Sequence, residues 1–199
     1  MARVAVFGIL PDEKTEAVNS AIMLLNGKGI PFRRCSPREM AFDTLGTRDA
    51  SEVPYDEKRA VASDVSLKLD LISLASDTMI EVSYSFLCIG GKVYGGGYED
   101  PLPYEAVHDK AIGCSFRAVF NEEYLRKCDA VVYLDTDADT ISGILGISVK
   151  EADDWKMFEK YRIRSICRKY EIMYSPLKDR HSYGPDLAKA AEIVHRAVH

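Results

Sequence analysis

The stretch Gly8-Ile9-Leu10-Pro11-Asp12-Glu13-Lys14-Thr15 decides which fold this sequence predicts. It matches the phosphate-binding pattern G-x-x-x-x-G-K-[ST] at every fixed position except one, where Glu13 replaces the second glycine. In that pattern, backbone N–H groups surround the phosphates, the lysine reaches the outer phosphates and the hydroxyl binds Mg²⁺. Glu13 puts a carboxylate where an anion would bind. The stretch therefore predicts a nucleotide-handling fold, and it leaves open whether nucleotide still binds.

The residues on either side of the motif favour a strand before it and a helix after it. Residues 3–7 form a short apolar run rich in β-branched side chains, and the apolar residues between 17 and 25 recur at helical spacing. The motif therefore lies where a helix N-terminus can face a phosphate. The alternative is an ordinary strand–turn–helix connection, with Asp12 capping the helix and Lys14 in solvent.

Composition narrows the class of protein. The chain has 199 residues, enough for one domain with a proper core, and its net charge of −5 disfavours non-specific binding to nucleic acid or anionic membranes. No stretch is long and apolar enough to span a membrane. The five cysteines form no C-x-x-C pair, which favours reduced thiols in a cytoplasmic protein. The four histidines show no ligand spacing and predict neither a zinc site nor a Ser-His-Asp triad: His108, His181, His195 and His199.

Predicted strands and helices alternate along the rest of the chain. After the second strand, at residues 30–35, the sequence predicts a third strand over 70–75, a buried strand over 128–135 and a short strand over 172–174. Helices are predicted between them, and for residues 78–98 both a helix and a hairpin turning at Gly90-Gly91 remain open. This alternation predicts an α/β fold: a central parallel sheet with helices on both faces and ligands at the carboxyl ends of the strands.

Taken in order, these segments resemble the P-loop nucleoside-monophosphate kinases, thymidylate kinases in particular and, more loosely, the archaeal adenylate kinases. Residues 3–32 look like the family's first strand, P-loop and helix; residues 128–137 look like its fourth strand; and residues 153–170 are similar to the helix after its lid. The resemblance implies a three-layer P-loop NTPase fold in a single domain, residues 1–199. It also implies a substrate or lid insertion around 36–60 and a lid-like segment around 142–152.

The resemblance further implies transfer of the γ-phosphoryl group of ATP, with Mg²⁺, to a nucleoside monophosphate, with thymidylate favoured. Nucleotides would then be the partners, rather than a nucleic-acid polymer or a membrane, and a homodimer is left open. The residues implied for the cofactor are Gly8, Asp12, Glu13, Lys14 and Thr15. In the other roles, Lys14 and Arg164 would act in catalysis, Arg38 and Asp77 would hold the acceptor, and Thr15 and Asp77 would bind the metal.

Three departures from the family's pattern count against activity. Glu13 replaces a glycine, residues 142–150 contain no arginine, and Asp77-Thr78 stands where the family has Asp-Arg. Because phosphoryl transfer depends on cations placed around the phosphates, their loss costs rate. A catalytically degenerate relative, which acts as a nucleotide-binding or protein-interaction module, is therefore the second hypothesis. The third is a doubly wound domain with an unrelated small-molecule site, in which the match of residues 8–15 to the phosphate-binding pattern is a coincidence.

Overall fold

The computed structural model describes residues 1–50, 52–83, 85–89, 92–94, 115–118, 125–178 and 182–199. Its strands, numbered in chain order, form one five-stranded and one three-stranded sheet. They are β1 Arg3–Phe7, β2 Phe32–Cys35, β3 Asp77–Val82, β4 Ser85–Ile89, β5 Lys92–Tyr94, β6 Ser115–Ala118, β7 Ala130–Asp135 and β8 Met173–Lys178. The helices are α1 Pro11–Gly27, α2 Pro37–Leu45, α3 Tyr55–Ala75, α4 Ala138–Leu145, α5 Val149–Lys169 and α6 Gly184–Val198.

The larger sheet is parallel throughout and has the order β2-β3-β1-β7-β8. The central strand β1 pairs Phe7 with Val82 of β3 on one side and with Tyr133 of β7 on the other. The carboxyl ends of these three strands therefore meet at one edge of the sheet, which we call the carboxyl edge. The opposite edge, where the strands begin, is the amino edge.

Helices cover both faces of this sheet. One apolar cluster joins the sheet to α3 and α5 and includes Val65 and Trp155. A second cluster joins the other face to α1 and α6 and includes Val18 and Leu187. Because strands β1 and β7 are covered on both faces, their residues are apolar almost without interruption, as buried parallel strands require. The predicted α/β fold, with a central parallel sheet and helices on both faces, is confirmed.

The predicted third strand over residues 70–75 is wrong. That segment is the last part of α3, and β3 begins at Asp77. The run Leu-Ile-Ser-Leu-Ala has strand-like composition, but Leu71 and Leu74 are 59% and 70% exposed. The buried residues of α3 instead recur at helical spacing, as Val65 and Leu69 do, so a helix explains the segment better than a buried strand does.

The segment after β3 is a hairpin rather than a helix. Strand β4 pairs antiparallel with β5, with Ile89 opposite Lys92, so the chain reverses at the predicted position; Gly90 and Gly91 themselves lie outside the described residues. Strand β6 pairs with the other side of β4. The helix predicted over residues 121–127 lies largely outside the described residues. The last strand is longer than predicted and runs to Lys178.

The two predicted insertion segments consist mainly of regular structure. Residues 36–60 comprise α2 and the start of α3, and Ser36 caps α2 as its pattern predicts, accepting from the N–H of Glu39 at 3.4 Å. Residues 142–152 comprise the end of α4, a turn at Gly146 and the start of α5, where Ser148 and Glu151 form a capping box.

A proline lies in or directly before each edge strand of the parallel sheet. Pro31 lies directly before β2, and Pro176 lies within β8 opposite Tyr133. Proline has no N–H to donate, so it is tolerated at such edge positions but not in a central strand. Within the described residues, no helix has both the length and the apolar character needed to cross a membrane.

Candidate functional site

The motif residues lie at the carboxyl edge, but helix α1 already begins at Pro11. Only Gly8, Ile9 and Leu10 connect β1 to α1, and the N–H of Lys14 donates to the carbonyl of Leu10 at 3.2 Å, as in a helical turn. The local sequence explains this early start, because proline is favoured at the first helical position and acidic side chains in the first turn stabilise the helix dipole. The expected cap, Asp12, therefore lies inside the first turn.

The three-residue connection is packed against the sheet rather than open to solvent. Ile9 and Leu10 are each only 5% exposed. A Cβ added to Gly8 would lie 3.2 Å from Cβ of Leu134 and 3.4 Å from Cγ of Lys14, which explains why glycine fits there. A phosphate loop needs several non-helical residues whose N–H groups converge on the anion. The connection between β1 and α1 is too short to supply that cradle in this conformation.

Lys14 is buried under the carboxyl edge. Its side chain is 3% exposed, and its ammonium donates to the carbonyl of Val82 at 3.0 Å and to Oγ of Ser83 at 3.0 Å. The positive charge of Lys14 is also close enough to Glu159 to favour the ionised form of that carboxyl. Lys14 thus joins α1 to the end of β3.

Glu81, near the end of β3, accepts hydrogen bonds from both α1 and β2. The sequence did not predict this role. Its carboxylate accepts from Oγ1 of Thr15 at 3.0 Å and from the guanidinium of Arg34, whose second nitrogen donates at 3.2 Å. Arg34 also contacts Glu39 at 2.8 Å. The hydrogen bond with Glu81 raises the pKa of Arg34 above its ordinary value, although burial opposes the shift. The only sequence signal was a carboxylate within the apolar run 78–82.

Glu13 is bonded to the end of β7 rather than directed at an anion. Its carboxylate accepts from the hydroxyl of Thr136, the residue that follows β7. Since that hydroxyl donates to Glu13, the hydroxyl of Tyr183, 3.3 Å away, is the donor to Thr136. This hydrogen-bonded chain ties the first turn of α1 to β7 and to the residue before α6.

Two lysines of α5 hold the carboxylate at the end of β7. Lys160 contacts Asp135 at 2.6 Å, and Lys156 contacts it at 3.4 Å while donating to the carbonyl of Thr136 at 3.1 Å. Lysines four residues apart share a helix face, which is the spacing that could have revealed this pair. Two further cations near the phosphate-binding motif therefore come from α5, and both are paired with protein acceptors.

Three residues that the sequence predicted for the site have other positions or contacts in the structure. Arg164 is exposed on α5, about 12 Å beyond Lys156 along the helix axis toward the amino edge. Arg38 stacks its guanidinium over the ring of Phe42, 5.3 Å from the ring centre. Asp77 is the first residue of β3, roughly 16 Å along the strand from Val82, because the strand begins later than predicted. Asp77 therefore lies at the amino edge and does not meet Lys14 or Thr15.

Mg²⁺ and ATP, which the sequence resemblance to P-loop kinases implies, fit these residues poorly. Lys14, Arg34, Lys156 and Lys160 each contact a protein acceptor. The helix N-terminus that would face the phosphates carries the carboxylates of Asp12 and Glu13. The hydroxyl of Thr15, the expected metal ligand, donates to Glu81. Binding a triphosphate here would require the breaking of several of these contacts.

No family model matches this sequence, and no curated protein matches it either. Among solved structures, the chain is similar to a shikimate kinase from Acinetobacter baumannii in complex with shikimate, with 14% identity and a TM-score of 0.50 over 99% of this chain and 94% of that chain. It is similar to a shikimate kinase from Bacteroides thetaiotaomicron, with 15% identity and a TM-score of 0.50 over 98% of each chain. A dephospho-CoA kinase from Campylobacter jejuni has 10% identity and a TM-score of 0.42 over 98% of this chain and 96% of that chain. The similarity to the two shikimate kinases shows that this chain has the P-loop kinase fold.

Proposed function

We propose that this protein is a degenerate P-loop kinase relative that does not hold ATP at residues 8–15 and acts as a binding module. The observation that carries the proposal is the start of α1 at Pro11, which leaves three residues in place of a phosphate cradle. Two hydrogen bonds support it, from Lys14 to the carbonyl of Val82 and from Thr15 to Glu81, because each occupies a group that a kinase uses for nucleotide or Mg²⁺.

Calorimetric titration with Mg·ATP tests this proposal. We expect no binding tighter than about 1 mM, which is a binding free energy of about −4 kcal/mol. Glu13→Gly removes the carboxylate but leaves the connection at three residues, so we expect it to raise ATP affinity only slightly. Lys28→Ala, directly after the last residue of the same helix, is the matched control for Lys14→Ala, since the side chain of Lys28 is 56% exposed and pairs with Glu192 at 2.7 Å.

Phosphoryl transfer is the second candidate function. It is favoured by one observation: Lys14, Thr15 and the carboxylate of Glu81 converge at the carboxyl ends of β1 and β3, the edge at which α/β folds bind their ligands. Micromolar Mg·ATP binding that is lost in Lys14→Ala but kept in Lys28→Ala would establish a nucleotide site at Lys14 and reject the proposal that residues 8–15 do not hold ATP; turnover of a monophosphate would then establish phosphoryl transfer. Thymidylate as acceptor rests on the sequence resemblance alone, and turnover with a panel of nucleoside monophosphates tests it.

The homodimer stays a prediction, and light scattering of the purified chain measures its mass directly. A mass twice that of one chain, constant on dilution, is the expected outcome for a stable dimer. A single-chain mass would contradict it without bearing on the nucleotide site.

A further inference from the structure

A carboxylate and two imidazoles meet at the amino edge of the sheet, remote from Lys14. Asp77, the first residue of β3, is 4% exposed, and it faces His195 in the last turn of α6 and His199 directly after that helix. The histidines are 118 and 122 residues from Asp77 in sequence. The sequence predicts no ligand spacing among the histidines, but the fold brings these two beside a carboxylate that is far from them in sequence.

The geometry of the three side chains is convergent. Residues four apart share a helix face, and the rings of His195 and His199 have centroids 4.5 Å apart. Nδ1 of His195 lies 2.5 Å from one oxygen of Asp77, and Nε2 of His199 lies 3.1 Å from the other. One candidate ligand atom from each residue lies within 4.8 Å of the others.

We propose that Asp77, His195 and His199 bind one divalent transition-metal ion. Tetrahedral coordination with bonds of about 2.0–2.1 Å sets neighbouring ligand atoms about 3.3 Å apart. The nitrogen–oxygen distances of 2.5 and 3.1 Å, each to a different oxygen of Asp77, lie within an ångström of that spacing. Small rotations of the two imidazoles bring the ligand atoms to it, because the helix already presents both rings on one side.

The ligand set defines the class of metal. Imidazole nitrogens with one carboxylate suit Zn²⁺, Co²⁺ or Ni²⁺, whereas Mg²⁺ and Ca²⁺ prefer oxygen ligands alone. Three protein ligands leave a fourth position for water or another ligand. The N–H of Ala2 donates to the Asp77 carboxylate at 2.7 Å, which is the kind of outer contact that orients a metal-binding carboxylate.

A plain hydrogen-bonded cluster is the competing explanation. In it, the histidines serve only to hold the carboxylate: burial opposes ionisation, but hydrogen bonds from His199 and His195 lower the pKa of Asp77 below its ordinary value. That explanation predicts no stoichiometric binding of Zn²⁺. The metal site predicts that binding depends on both rings and on the carboxylate together.

The test is a calorimetric titration with Zn²⁺ of the untagged 199-residue chain after treatment with a chelator. We expect one Zn²⁺ per chain with a dissociation constant in the micromolar range or tighter, and a visible absorption band when Co²⁺ replaces Zn²⁺. His195→Ala, His199→Ala and Asp77→Asn should each weaken binding at least tenfold. The double variant His108→Ala/His181→Ala removes the two other histidines and should bind as the native chain does.

Absence of stoichiometric zinc binding by the native chain would overturn the proposal. Equal binding by the native chain and His199→Ala would overturn it as well. His199 is the decisive position, since its side chain is 40% exposed and its removal leaves the fold intact, as circular dichroism would verify. The result is separate from ATP binding, because the two sites lie at opposite edges of the sheet.

Discussion

Glu159 is the most deeply buried charged side chain near the phosphate-binding motif, with 1% exposure. Its carboxylate accepts from the N–H and the hydroxyl of Ser85, at 3.0 and 2.8 Å, and from the hydroxyl of Tyr133 at 3.4 Å. Trp155 donates its indole N–H to the same serine at 3.0 Å. These buried hydrogen bonds therefore connect the start of β4 to α5 and pair polar groups that have no access to water.

Substitution Glu159→Gln should change how stability depends on pH. Burial raises the pKa of Glu159 from its ordinary value of 4.5, although the bonds from Ser85 and the charge of Lys14 oppose the shift. Above 4.5 the folded state keeps a proton that the unfolded state has lost, so the free energy of unfolding falls as pH rises to the folded pKa. Glutamine does not titrate. The free energy of unfolding of Glu159→Gln should therefore increase relative to that of the native chain as pH rises from 4.5 to the pKa of Glu159 in the folded state.

Urea denaturation of both proteins from acid to neutral pH measures this gain. Asp64→Asn, an exposed substitution on α3, is the control for a general change in charge. Identical pH slopes for the native chain and Glu159→Gln would show that Glu159 keeps its ordinary pKa in the fold.

For single residues, the sequence pattern predicted Lys14 and Thr15 as nucleotide-site residues, but it did not predict the residues that they contact. Glu81 is 66 residues from Thr15, and Thr136 is 123 residues from Glu13. Such contacts follow from which strands are neighbours in the sheet, and a local pattern does not contain that information. Asp77 was singled out for metal binding, but the expected Mg²⁺ site depended on a strand boundary that lies several residues away.

Helices α1 and α6 approach closely where Gly184 meets Ser20. A Cβ added to Gly184 would lie 2.3 Å from Oγ and 2.6 Å from Cβ of Ser20, which no real contact tolerates. Gly184 is the first residue of α6 and is buried. The small side chains at this point set the spacing of the two helices that cover one face of the sheet.

Gly184→Ala should therefore destabilise the protein by about 1–3 kcal/mol, the usual cost of forcing an extra methyl group into a packed contact. Thermal or urea denaturation measures it. Adding Ser20→Gly should restore part of the loss, because it removes the atoms that the new methyl group meets, although glycine inside α1 costs about 1 kcal/mol.

Gly27→Ala is the matched control at the end of α1. A Cβ there would meet nothing within 4 Å, so we expect stability to be unchanged or slightly higher. If Gly184→Ala proved as stable as Gly27→Ala, the two helices would not be in the close contact described.

Whole elements were predicted best where an apolar run is continuous. The apolar runs of β1 and β7 were both expected from their composition. The boundary between α3 and β3 was missed because Leu71 and Leu74, although apolar, face solvent. The start of α1 was visible in Pro11 and its acidic neighbours, but the phosphate-binding motif suggested a loop over the same residues.

For the whole molecule, the order of strands predicts a gradient of stability. Strands β1 and β7 are central and fully buried apart from Arg3, whereas β2 and β8 lie at the edges and have exposed residues. Hydrogen exchange followed by mass spectrometry should show the slowest exchange in peptides covering residues 4–7 and 131–134. Exchange from residues 173–178 as slow as from 131–134 would contradict the assigned order.

The overall architecture was predictable because alternating strands and helices allow few arrangements, and right-handed crossovers limit them further. The hairpin after β3 remained open to two interpretations, since its apolar run fits helix and strand alike. The histidine cluster at the amino edge could not be predicted, because it requires the end of α6 to meet the start of β3.

The prolines at the two edge strands have a consequence for how copies of this chain behave at high concentration. Unpaired edge strands invite addition of a strand from a neighbouring molecule, the first step toward aggregation. Pro176 has no N–H, so β8 has one hydrogen-bond donor fewer. Pro31 lies directly before the four residues of β2 and adds no donor at the start of that strand. Each edge of the parallel sheet is therefore less able to add a strand from a neighbouring molecule than an uninterrupted edge strand would be.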